Sequence, residues 1–179
     1  ALADDGRRFF VLCDDGHLVA GDPAVADGAL DAVATPLVAP QIEANVLVPV
    51  AGGLLVGTTA GAVIELAYDG SVGRRVLDPT LGMVRTIVAS PDARRLVVMG
   101  DRAAPHVLDR TTLSWLVRLP TVGIEAVAFD AVGALQTMAT ASERWDLDRV
   151  QPVAHDVGSG ASGLWLSPDG DTLAAAHGD

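Results

Sequence analysis

The stretch Ser90-Pro91-Asp92-Ala93-Arg94-Arg95-Leu96-Val97-Val98, continued by His106-Val107-Leu108-Asp109-Arg110, decides how this chain is read. Pro presets φ at the first corner of a turn and Asp bonds back to nearby backbone, so Ser-Pro-Asp-Ala reverses the chain between short Val- and Leu-rich runs of strand composition. The same frame recurs. Ser167-Pro168-Asp169-Gly170 precedes Leu173, Asp130-Ala131-Val132-Gly133 precedes Leu135, and Val48-Pro49-Val50-Ala51 precedes Leu54. Anchored on the first apolar residue after that turn, the copies begin at Phe9, Leu54, Leu96, Leu135 and Leu173, spaced by 45, 42, 39 and 38 residues. Asp22, Asp109 and Asp148 each fall thirteen positions after an anchor, where the second copy has Ala67. Leu108-Asp109-Arg110 and Leu147-Asp148-Arg149 match residue for residue. A second hairpin turn is marked by Asp14-Asp15-Gly16 and by Thr59-Ala60-Gly61.

A period of about 40 residues carrying four short strands defines a unit that cannot cover both faces of its own sheet, so neighbouring copies must stack. Inner strands are expected near 44–48, 84–89, 124–129 and 163–166, and second strands near 9–13, 54–58, 96–100, 135–140 and 173–176. Third strands fall near 17–20, 62–66, 105–108 and 144–147, and outer strands near 32–35, 72–77, 114–119 and 152–155. Leu135, Met138, Ser142 and Trp145 have partial helical spacing, but the repeat alignment makes 134–151 strand.

Two features resemble the WD-repeat β-propellers: Ser-Pro-Asp-Gly before the second strand, and Trp145-Asp146, preceded by Val127-Ala128-Phe129 leading into the turn of the same copy. Trp145 aligns with His106 of the third copy, and the family's Gly-His pair before the innermost strand is absent, His155 being preceded by Ala154. The resemblance implies an all-β propeller of four-stranded antiparallel blades. Residues 1–179 would be a single propeller portion with segments near 1–43, 44–83, 84–123, 124–162 and 163–179, about four and a half blades. Seven or eight blades would need roughly 280 to 330 residues, so an incomplete ring, part of a larger protein, is the expectation, with completion by other copies, or an open stack of blades, as the alternatives.

The 179 residues are 50% hydrophobic, with 19 Gly and 10 Pro, which describes a folded chain with little room for long helices. No apolar run approaches the roughly 20 residues of a membrane helix. All 12 basic residues are Arg, against 23 acidic ones, and the net charge of −11 disfavours nucleic acid. The Arg bias points to a GC-rich, bacterial genome. One cysteine, Cys13, requires no oxidising compartment, so the cytoplasm is expected and the thiol is read as buried.

No metal or cofactor is expected. His17, His106, His155 and His177 lie in different copies without ligand spacing. Gly158-Ser159-Gly160-Ala161-Ser162-Gly163 lacks the Lys and the strand-to-helix setting of a phosphate loop, and reads as a connection between blades. Asp14-Asp15-Gly16 is a turn and not a calcium loop. One constellation stands out: Glu43, Arg85, Glu125 and Ser162 occupy equivalent positions where inner strands begin, a belt of alternating sign at a channel mouth. It serves either inter-blade ion pairing or a partner site. Trp115, on an outer strand, is the exposed interface candidate, while Trp145 and Trp165 are expected between blades.

The function expected from the resemblance is a noncatalytic module for protein-protein interaction, scaffolding or sensing within a bacterial signalling protein. Its partners would be other proteins or other domains of the same protein. The alternative is a lactonase-like or quinoprotein-like propeller enzyme with a channel-mouth site.

Overall fold

A computed structural model describes residues 9–13, 18–21, 35–38, 42–120, 123–139, 142–147, 151–154, 161–166 and 173–177. These residues form antiparallel sheets and no α-helix. Strands β1 (Phe9–Leu12), β2 (Leu18–Gly21) and β3 (Thr35–Val38) make one sheet in that order. A second follows with β4 (Ala44–Val50), β5 (Gly53–Thr58), β6 (Ala62–Ala67) and β7 (Val72–Leu77), and a third with β8 (Val84–Ala89), β9 (Arg95–Gly100), β10 (His106–Asp109) and β11 (Ser114–Arg118). The fourth holds β12 (Ala126–Phe129), β13 (Leu135–Met138), β14 (Ser142–Asp146) and β15 (Gln151–Ala154), and the last pairs β16 (Ala161–Leu166) with β17 (Leu173–His177). Each sheet keeps its strands in chain order, as hairpins joined by tight turns require. Two compact units can be distinguished, 1–87 with 99–103, and 88–98 with 104–179, the division crossing β8 and β9.

Burial grades across each sheet. Every residue of β5 is buried, as are the four central residues of β9 and all of β13, whereas β7 and β11 are largely exposed. A strand buried on both pleat faces must lie between two other layers. In the first unit one such layer is visible residue by residue. Leu54, Val56, Ala62, Ile64 and Leu66 of the second sheet pack on Phe10 and Leu18 of the first, and the Phe10 and Tyr68 rings stack with centroids 5.5 Å apart. On the opposite face Val84 of β8 closes over Gly57. In the second unit β16 packs against β12 and β13.

The turns behave as their residues dictate. Ser90 N–H donates to the Arg95 carbonyl at 2.9 Å, Ala93 N–H to the Ser90 carbonyl at 2.8 Å, and the Ser90 hydroxyl to Asp92 Oδ1 at 2.6 Å. The Ser90 hydroxyl and the Arg94 amide both favour the charged carboxylate, holding Asp92 below its usual range. In the fourth sheet Asp130 replaces Ser90 and makes the corresponding backbone pair with Ala134 at 2.9 Å. The fourth turn position needs left-handed backbone. Gly133 supplies it at φ 83°, while Ala93 adopts φ 55° against the cost to its Cβ.

Prolines fall where the ladder tolerates a missing donor. Pro36, Pro49 and Pro152 all sit on first or last strands of their sheets. Of the outer strand expected near 32–35, residues 32–34 lie outside the described residues, and β3 is described at Thr35–Val38 with Pro36 inside an edge strand. The expected connection at 158–163 is corrected, because 161–163 open β16. The region with partial helical spacing is strand, β13 pairing β14 with Trp145 opposite Leu135. Trp145 is buried, and its Nε1 donates to the Thr137 hydroxyl at 2.9 Å.

Three stability expectations follow. A Cβ at Gly57 would lie 2.5 Å from both Val46 Cγ1 and Val84 Cγ1, so Gly57→Ala is expected to destabilise by about 1–3 kcal/mol through overpacking. Val72→Ala on an exposed strand stays within about 0.5 kcal/mol. Ala93→Gly should instead raise stability by about 0.5–1 kcal/mol, the left-handed penalty of roughly 1–2 kcal/mol being partly offset by glycine's greater unfolded freedom. Urea titration of the three variants reads all of these.

Candidate functional site

The residues singled out by the repeat alignment lie near the starts of inner strands, in two different registers. Glu43 immediately precedes β4, Arg85 is the second residue of β8, Glu125 immediately precedes β12, and Ser162 is the second residue of β16. The alternation of sign is not expressed as ion pairing between Glu43 and Arg85. Glu43 Oε2 instead accepts a hydrogen bond from the Thr59 hydroxyl at 2.6 Å, and its carbonyl accepts from Thr59 N–H at 3.1 Å. Its φ of 44° is rare for a residue with a side chain, and the two bonds to Thr59 hold that geometry at the strand entrance. Arg85 is exposed and makes neither a hydrogen bond nor an ion pair with its side chain among the described residues. Glu125 is likewise exposed, its N–H donating to the Met138 carbonyl at 2.7 Å.

The link that does join neighbouring inner strands is Asn45. Its Nδ2 donates to the Val84 carbonyl at 2.7 Å, tying β4 to β8 within the first unit. Asn45 is the chain's one asparagine and stands inside an apolar strand run. Asn45 itself is exposed and its bond only partly buried, so the one available signal was an amide interrupting an apolar run.

Trp115 is half-buried, a correction to its expected exposure. The pleat of β11 points Ser114, Leu116 and Arg118 outward and turns Trp115 inward, so Leu116, 53% exposed, takes the outer position. The Trp115 ring meets His106 edge-on at 5.3 Å, and its Nε1 is buried without an acceptor among the described residues. His106 is buried, with Nδ1 2.8 Å from the Ala104 carbonyl, which assigns the proton to Nδ1. Cys13, expected buried, is half-buried just beyond the end of β1. His17, His155, Asp14-Asp15-Gly16 and 158–160 lie outside the described residues, and so do the side chains of Ser162, Trp165 and His177.

Among the described residues no group of three His, Cys, Asp or Glu side chains is placed to hold a metal ion, and no helix is long and apolar enough to cross a membrane. No family model and no curated protein matches the chain. What the geometry offers chemically is exposed charge at strand entrances, Glu43 and Arg85 in the first unit and Glu125 in the second.

These placements separate charge from structure. Arg85→Ala is expected to change unfolding free energy by less than about 0.5 kcal/mol, whereas Asn45→Ala removes a partly covered hydrogen bond and costs about 1 kcal/mol. Parallel denaturant titrations check the contrast.

Proposed function

We propose that the chain is a WD-repeat-like β-propeller portion that serves as a noncatalytic recognition surface for protein partners, in a scaffolding or sensing role. The observation that carries this reading is the recurrence of exposed, charged positions at inner-strand entrances, Glu43, Arg85 and Glu125, on sheets whose second strands are buried on both faces. Sheets of this kind stacked like blades would bring those entrances to one rim, where charges of both signs suit a protein surface and fix its register. Rigid strands beneath them keep the ordering cost of binding low. The acidic chain, at −11, directs the reading away from nucleic acid.

The test is quantitative affinity capture from cells of the source organism, comparing the chain with an Arg85→Glu, Glu125→Arg double variant of matching thermal stability. Proteins retained by the first and lost by the second are expected. Identical retention by both forms, or turnover in a substrate screen that Glu125→Gln abolishes, would replace this reading with the channel-mouth enzyme.

A further inference from the structure

A cavity of about 300 Å³ opens in the second unit between the turn before β13 and the end of β14, away from the strand entrances considered above. Arg95, Val132, Ala134, Arg144, Trp145 and Asp146 contribute to its walls. Its organising residue is Asp130. Oδ1 accepts the N–H groups of Ala134 at 2.8 Å and Val132 at 3.2 Å, while Oδ2 accepts Nε of Arg144 at 3.0 Å and Nη2 at 2.8 Å. One carboxylate thereby locks the turn and fixes the plane of a guanidinium that is 30% exposed.

A guanidinium carries five N–H donors. Two are spent on Asp130, and the other three meet no acceptor among the described residues. Arg95 adds a second cation to the wall, and both it and Asp146 have polar partners of their own. Trp145 behind them is held by its bond to Thr137, a hydroxyl that is 1% exposed. The cavity is thus preorganised: a fixed donor fork and an immobile indole, with little side-chain ordering left for a ligand to impose. Its volume is at the bottom of the range for ligand sites, enough for one small charged group and too little for a nucleotide.

The arrangement belongs to the fourth copy. In the third, Ser90 stands where Asp130 stands and Pro105 where Arg144 stands, so neither the second carboxylate oxygen nor the guanidinium exists there. A turn that Ser90 already closes does not need this pair, which gives the pair a purpose beyond the turn.

We infer that this cavity is a binding site for a small oxyanion, a carboxylate or a phosphate group, received by the unspent donors of Arg144 with Arg95 alongside. Arg and carboxylate or phosphate match in both charge and fork geometry. The balancing charges of Asp130 and Asp146 make the attraction short-ranged, and a lone group is expected to bind in the millimolar range.

The experiment is nuclear magnetic resonance titration of the ¹⁵N-labelled full chain at constant ionic strength, with propionate in one arm, inorganic phosphate in another and chloride as reference. Saturable shifts at the Trp145 indole N–H and the Arg144 Nε–H are expected in at least one arm, and the arm that responds names the source of the oxyanion. Arg144→Gln should weaken binding at least about tenfold. Because that change also releases Asp130, Val132→Trp is the second variant: position 132 is 81% exposed, so the fold tolerates it while the indole fills the mouth and blocks entry. Shifts in neither arm beyond the chloride reference, or parental binding by Val132→Trp, would overturn the site.

Discussion

Burial of the second strand of each four-stranded sheet on both of its faces is the constraint on which the described structure depends. A pleated strand with one wet face alternates in polarity; β5, β9 and β13 do not, and their side chains are covered whichever way they point. Hairpins of four to seven residues per strand have no core of their own. They acquire one only by laying apolar face on apolar face, as Leu54, Val56 and Ile64 do against Phe10 and Leu18. Local turns set the register of each hairpin, but contact between sheets makes that register worth keeping.

Polar groups are confined to places where this packing permits them. The Thr58 hydroxyl accepts the Ala62 N–H within its turn, Thr137 receives Trp145, and Asn45 reaches the Val84 carbonyl at the edge of an inner strand. Among the described residues, charged side chains stay at strand ends, on third and outer strands or around turns. Arg74 pairs with Glu65 across the outermost pair of strands of the second sheet, through Nε at 2.8 Å and Nη2 at 2.8 Å. Function is accordingly sought at entrances and turn ends, where the exposed charges lie.

Much of the architecture was legible because turns and strands obey local rules. Ser90-Pro91-Asp92-Ala93 and Asp130-Ala131-Val132-Gly133 announced hairpins, and the strands between them fall within a residue or two of the periodic expectation. The alignment placed an outer strand here but did not show that Pro36 lies within it, which only an edge strand tolerates. Side-chain pairing was less legible still. Glu43 precedes β4 and Arg85 lies inside β8, and the partner of Glu43 is Thr59, sixteen residues away across a hairpin. Trp115 looked exposed because it sits on an outer strand, whereas the pleat, not the strand's position, decides which way it points. The Asp130 and Arg144 pair was invisible for a related reason: its meaning lies in two oxygens pointing different ways, and a sequence records only that an Asp is present.

The graded exposure across each sheet has a further consequence for how such a chain drifts over generations. Replacements near the middle strands alter volumes shared by two layers, while the rim strands Val-Gly-Arg-Arg-Val-Leu at 72–77 and Ser-Trp-Leu-Val-Arg at 114–118 are largely exposed and differ in sequence. Duplicated units can therefore diverge from the outside inward, each copy acquiring its own periphery while the shared interior preserves the memory of common descent.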